Sequence, residues 1–329
     1  MTKLTLTFAA REYDRVSPVV DGRATPEGID LNYFRLPVEE IFYRQLLHRE
    51  FDISEMSLSS YVMTLDRPDP EYIALPVFPS RYFRHQTMFV NTNSGISSPE
   101  DLRGKRVGLP EYQITAGVWQ RGMLNDEYGV ACEEMEFFTG GVDAPGRDEK
   151  LALDLPKSIS VTRIGPEQTL SDMLAAGELD AVFSANVPGS FGTSPAVARL
   201  FPDYKAVEQD YYRRTRIFPI MHVLVVRRSI LEANPWVARS LQKAFQRGLE
   251  VAQEDLRYRS SLTTMLPWLA SHLDETVEAM GQDYWQYGLE ANRHLLSTFL
   301  GYHFEQGLSR QLRTPDELFA PSASATFVI

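Results

Sequence analysis

Two arginines and a histidine fall together at Arg81-Tyr82-Phe83-Arg84-His85, just ahead of the apolar run Met88-Phe89-Val90. A guanidinium pairs with a planar anion through two charge-assisted hydrogen bonds, and an imidazole exchanges a proton near neutral pH. The cluster could therefore hold an anion and move a proton, or it could be a solvated loop. If Arg81 and Arg84 share a strand end, alternation sends them to opposite sides, or to adjacent ones if that end is irregular, and one alone could then reach a ligand. His222, in Phe218-Pro219-Ile220-Met221-His222, is a second acid/base candidate; a core histidine is the alternative.

Other candidates lie where a strand gives way to a helix. Glu111, in Pro110-Glu111-Tyr112-Gln113, precedes a helix beginning near 114. It could orient a histidine, or simply place negative charge at a helix N-terminus. The amides near Thr115 suit a carboxylate. Arg147 sits in a Gly/Pro-flanked loop, whereas Arg121 lies inside a helix and reads as structural. Ser57, with Ser54 and Ser59, could hydrogen-bond a ligand at a strand end, and Tyr112 and Trp119 could wall a pocket. His48, His272, His294 and His303 fall on helices at spacings that suggest surface or packing roles. No His-x-His, His-Glu-x-x-His or EF-hand pattern occurs, so no metal and no cofactor is expected. Three residues from distant segments could still converge on a metal, with His85, Glu111 and His222 the obvious set.

The elements that must position these residues alternate. Strands are expected at 1–10, 28–34, 51–57 and 72–78, with helices at 37–47 and 58–65 between them. This β-α-β-α-β order indicates a parallel or mixed sheet, which binds ligands at the carboxyl ends of its strands. A second unit follows, with strands at 106–110, 135–139, 160–164 and 179–184 and helices at 114–128 and 169–177. The chain is expected to cross into it near 89–93 and to return near 214–221, with a strand at 217–226. Lobe 1 then comprises 1–91 plus 218–329, and lobe 2 comprises 92–217. Ligand clefts favour such junctions, and two crossings permit hinging. From 230 onward the chain reads as mostly helical. That region could cover the first lobe or form a subunit interface in a homo-oligomer.

The 329 residues are enough for two domains. A net charge of −11 argues against nucleic acid or an anionic membrane as partner. Against that acidic background a local cluster of positive charge is conspicuous. One cysteine, Cys132, leaves no intrachain disulfide. The N-terminus alternates polar and apolar residues rather than forming a signal peptide, and no run approaches a transmembrane span, so a cytoplasmic protein is expected.

Specific strings carry a resemblance. They are Arg81…Arg84-His85, Pro110-Glu111-Tyr112-Gln113 with Thr115, Trp119-Gln120-Arg121-Gly122, Gly140-Gly141…Arg147 and Phe218-Pro219-Ile220-Met221-His222. Together with Leu170-Ser171-Asp172-Met173-Leu174 and Tyr287-Gly288-Leu289-Glu290-Ala291-Asn292, they span nearly the whole chain. The chain resembles the type 2 periplasmic-binding-protein fold, and within it the 4,5-dihydroxyphthalate decarboxylases. That resemblance implies a two-lobed α/β protein with an inter-lobe cleft. It also implies a cofactor-independent aromatic decarboxylase whose name reaction yields 3,4-dihydroxybenzoate. On this reading Arg81, Arg84 and Arg147 are candidates to hold carboxylates. His85 leads for proton transfer, followed by His222, and Glu111 could accept a phenolic proton. Ser57, Tyr112 and Thr115 would complete the pocket. A non-catalytic binding protein for a small aromatic carboxylate is the alternative.

Overall fold

The structure, a computed structural model, describes residues 2–321. The chain opens with β1 (Leu4–Ala10), α1 (Ser17–Val20), β2 (Ile29–Arg35), α2 (Val38–His48), β3 (Ile53–Ser57), α3 (Leu58–Thr64) and β4 (Tyr72–Arg81). It continues through β5 (Met88–Asn91), β6 (Arg106–Leu109), α4 (Thr115–Tyr128), β7 (Glu136–Thr139), β8 (Ser160–Arg163), α5 (Leu170–Ala176), β9 (Ala181–Phe183), β10 (Val197–Arg199) and α6 (Tyr204–Thr215). β11 (Ile220–Arg227), α7 (Arg228–Ala233), α8 (Trp236–Arg257), α9 (Leu269–Met280) and α10 (Arg293–Glu305) follow.

Two mixed sheets result. The first has the order β2-β1-β3-β11-β4, and the second β10-β5-β9-β6-β7-β8. In the first, β1 is parallel to β2 and β3, while the returning β11 runs antiparallel between β3 and β4. All five residues of β3 are buried, as expected of a strand covered on both faces. The crossing into the second sheet falls earlier than 89–93: β5 already pairs with β9 and β10, so the switch lies between Arg81 and Met88. The polar, aromatic stretch before 215 is helix α6. It escapes a periodicity reading because it buries only Glu208 and Tyr211.

Helix α4 locks the two units together. Trp119 packs on Phe299 and Tyr302 of α10, and its indole N–H donates to the Ile220 carbonyl of β11 at 2.9 Å. Gly122 permits that approach, since a Cβ there would stand 2.1 Å from the Tyr302 ring. Emptying the Trp119 site is expected to cost about 3–5 kcal/mol. Gln120 reaches the Thr87 carbonyl at 3.1 Å. One helix therefore fixes both the turn after β4 and the start of β11, the two segments that carry Arg84 and His222.

Candidate active site

The carboxyl ends of β3, β6, β9 and β4 converge on a cleft between the sheets, which is where such sheets place ligands. Arg84, Thr115, Arg147, Asn186 and His222 are among the residues lining it.

His222 owes its position to an irregularity. The β11–β4 register shifts on both sides of it, and a bulge of this kind re-aims a side chain. Its Nδ1 lies 2.5 Å from Glu55 Oε1, and its ring stands edge-on to Phe42 with centroids 4.9 Å apart. Glu55 is fully buried in β3 and also accepts from the Tyr13 hydroxyl at 2.6 Å and the Arg11 amide at 3.1 Å. Burial alone would raise the Glu55 carboxyl, but His222 and these donors more than offset it and hold it below its ordinary value. Burial and the neighbouring Glu55 carboxylate push the Tyr13 phenol far up, so Tyr13 donates. An ionised Glu55 fixes the proton on His222 Nδ1 and leaves Nε2 for the cleft.

Arg84 faces the same space. It is buried, its Nε donates to the Met221 sulfur at 3.0 Å, and its Nη1 lies 3.4 Å from the Ala185 carbonyl. Among the described residues it makes no ion pair, so a buried cation waits without a carboxylate. Burial pulls its guanidinium down to about 10, which still leaves it charged at neutral pH. The N-terminus of α4 opens nearby. Its N-cap, Ile114, provides no side-chain acceptor, so the first amides of the helix lack one from the cap.

At one side of the cleft four charges meet. Glu111, fully buried, accepts from Arg147 Nε at 2.8 Å, from Arg147 Nη2 at 2.6 Å and from Lys150 Nζ on Oε1; Gln113 binds its Oε2 at 3.0 Å. Arg147 and Lys150 also reach Glu39 of α2, at 2.7 and 2.9 Å. Ser57 bonds Thr115 at 2.8 Å and Ser60 bonds Gln113 at 2.8 Å, so hydroxyls too bridge the sheets.

Of the expected site residues, Arg84, Arg147, Thr115, Ser57, Glu111 and His222 line the cleft, while His85, Arg81 and Tyr112 do not. His85 is shut between Phe201 and Tyr211, at centroid distances of 5.3 and 5.2 Å. Burial pulls its imidazole down to about 4, so it is neutral at neutral pH. Arg81 points the other way and ties down the C-terminal region, donating to the Phe218 carbonyl at 3.0 Å, the Gln286 carbonyl at 2.7 Å and the Asn292 side chain. Tyr112 is buried beneath Arg121, 3.9 Å from ring to guanidinium, and its hydroxyl meets the Gln306 carbonyl at 3.2 Å. Glu111 is engaged with cations rather than with a histidine. His85, Glu111 and His222 do not converge, and among the described residues no group of three or more His, Cys, Asp or Glu is placed to hold a metal.

Glu55, Tyr13, Glu39 and Lys150 escaped sequence reading. Glu55 left one signal: a lone carboxylate inside the short strand Ile53-Ser54-Glu55-Met56-Ser57.

Comparison with known proteins adds an independent line. The chain is 40% identical over its full length, and over the full length of the relative, to a 4,5-dihydroxyphthalate decarboxylase from Comamonas testosteroni. It is 42% identical to one from Pseudomonas putida, over 65% of this chain and 83% of that one. Residues 16–188 match the family model for the periplasmic phosphonate substrate-binding protein of ABC transporters. Among solved structures, the alkanesulfonate-binding protein SsuA from Xanthomonas axonopodis pv. citri superposes with a TM-score of 0.51 at 9% identity, covering 97% of this chain and 98% of that one. At that identity the likeness speaks to the periplasmic-binding-protein-like fold alone.

Proposed function

The chain belongs to the 4,5-dihydroxyphthalate decarboxylase family, and from that premise we propose that it removes one carboxylate of 4,5-dihydroxyphthalate as CO2 to give 3,4-dihydroxybenzoate. The observation that carries the residue roles is the placement of a buried, carboxylate-free Arg84 in the same cleft as a histidine held by Glu55.

In this reading Arg84 and the α4 N-terminus hold the departing carboxylate. Burying the cation without a partner is unfavourable, and an incoming carboxylate relieves it. The ring hydroxyl para to that carboxylate supplies electron density to the carbon that bears it. Protonated His222 delivers the Nε2 proton to this carbon. The electron pair of the carbon–carboxylate bond then returns to the ring as CO2 leaves, and His222 recovers a proton from water. Glu55 stabilises the imidazolium and fixes its orientation, while Tyr13 and the Arg11 amide fix Glu55. These steps use groups of this chain, its substrate and a proton from solvent.

The proposal places this two-lobed enzyme in the cytoplasm, and cell fractionation tests it. No helix among the described residues is long and apolar enough to cross a membrane. It also includes a homo-oligomer, which would cover exposed Leu262, Met265 and Trp268; light scattering tests that part.

The deciding experiment is incubation of purified protein with 4,5-dihydroxyphthalate, followed by mass spectrometry for loss of CO2. Tight binding without product after long incubation would replace this reading with that of a binding protein.

A further inference from the structure

The four charges at the cleft are held unequally. Glu111 is fully buried and accepts hydrogen bonds on both carboxylate oxygens. Glu39, on the first turn of α2, has a side chain 48% exposed, and a single oxygen, Oε2, meets Arg147 Nη2 at 2.7 Å and Lys150 Nζ at 2.9 Å. It is also the one member of the four contributed by the first lobe.

Charge balance gives this asymmetry a consequence. Arg147 and Lys150 are neutralised by Glu39 and Glu111, so the quartet carries no net charge. Arg84 can neutralise one carboxylate of an aromatic dianion. The remaining cationic arginine and lysine side chains lining the cleft are Arg147 and Lys150. A second substrate carboxylate therefore meets a neutral group unless one protein carboxylate withdraws. Removing Glu111 from its partners would strand a buried charge. Glu39 can turn to solvent, losing only a partly exposed pair.

We infer that Glu39 is a displaceable stand-in for substrate: the carboxylate that the reaction retains takes the place of Glu39 Oε2 on Arg147 and Lys150, and this exchange makes the cleft select vicinal aromatic dicarboxylates over monocarboxylates. The inference rests on the proposed function for its substrate class. It assigns Lys150 and Arg147 to substrate binding and Glu39 to specificity, and it asks nothing of the proton-transfer step.

The test is calorimetric titration of the full chain with phthalate and with benzoate, which lack the hydroxyls needed for reaction. Wild type is expected to bind phthalate more tightly than benzoate. Glu39→Gln removes the competing charge from a half-exposed position and should tighten phthalate binding roughly tenfold, the equivalent of one charged contact. Benzoate binding should be unchanged. Lys150→Gln should weaken phthalate by a similar factor and spare benzoate, with a thermal melt to verify folding. Weaker phthalate binding by Glu39→Gln would overturn the inference, because Glu39 would then be a latch that closes the cleft. So would parallel shifts for both ligands, or equal affinity of wild type for the two. Loss of CO2 from dihydroxyphthalate, measured separately, reports on the reaction, so failure of one reading is distinguishable from failure of the other.

Discussion

The molecule contains two histidine–carboxylate neighbourhoods built from the same residue types, and they differ in nearly every physical respect. His222 Nδ1 stands 2.5 Å from Glu55, and its ring opens on the cleft. His85 Nδ1 stands 4.0 Å from Glu208 and has no hydrogen-bond partner. Glu55 is the more deeply buried carboxylate, yet it is held below its ordinary pKa because His222, Tyr13 and the Arg11 amide stabilise its charge. Glu208 is pushed up to about 7 by burial, which its bonds to Gln86 only partly offset. His85 in turn is pulled down to about 4. The first neighbourhood keeps a fixed negative charge behind a histidine whose ring faces the cleft. The second suppresses charge on both partners. Depth of burial does not separate them; a histidine in direct contact with Glu55 and shorter hydrogen bonds to it do, whereas Glu208 receives only longer bonds from Gln86.

If the comparison is right, the largest effect belongs to His222. His222→Gln should lower kcat about a thousandfold, the scale of a lost general acid, while phthalate still binds within a few-fold of wild type. Retained turnover would erase the distinction between the two neighbourhoods. Glu55→Gln should come next, with kcat lower by roughly a hundredfold, because an amide can accept from Tyr13 but no longer stabilises the imidazolium. The same variant carries a stability signature. Glu55 is depressed in the folded state, so its contribution is present above the ordinary carboxylate range and is lost as pH falls through its folded value. Melting temperature followed from neutral to acid pH should therefore fall less steeply in Glu55→Gln than in wild type. An unchanged slope would mean that Glu55 is not held in its charged form.

The fold was largely legible in the sequence, because period-two alternation and helix stops are local. β1 and β2 could be read from alternation and turn residues, and α4 and α5 end at Gly129 and Gly177, both in the left-handed conformation that favours glycine. The site was legible only in part. Clustering drew attention to Arg81, Arg84 and His85, but whether each faces the cleft depends on a strand ending at Arg81 and a short 3-10 turn at His85–Thr87 that buries the imidazole. His222 reaches the cleft through a register shift of β11 against β4, which is a property of strand pairing and leaves no local pattern. Lys150 lies in a loop, and its importance comes from Glu111, thirty-nine positions away. Strand alternation does not decide between the two arginines, because Arg81 ends β4 and Arg84 lies in the turn beyond it; of the two, Arg84 lines the cleft.

Arg84 provides a test in which activity and stability should part. Arg84→Met replaces a buried cation that lacks a carboxylate with an apolar side chain suited to the neighbouring Met221. Phthalate and benzoate should both bind more weakly, by roughly tenfold or more, since one charge-assisted pair is lost. The melting temperature should hold or rise, because an uncompensated buried charge has been removed. A clear drop in melting temperature together with unchanged binding would show that Arg84 is structural, like Arg81.

The smallest effect on turnover is expected at His85, and its signature lies elsewhere. His85→Asn should leave kcat within about threefold of wild type, as for a residue outside the reacting groups. Its stability should respond differently to acid. The folded chain holds His85 at about 4, whereas an unfolded chain titrates it near its ordinary value of about 6.5. Between those values the unfolded state binds the extra proton, so wild type loses stability as pH falls through that window. The asparagine variant lacks that proton uptake, so its melting temperature should fall less between neutral pH and pH about 4. The slope should be reduced rather than abolished, because buried His303 is pulled down to about 3 and contributes in the same sense. A His85 variant that loses turnover while keeping the wild-type acid slope would reverse the assignment, putting the proton carrier at the arginine-flanked histidine and the structural imidazole at His222.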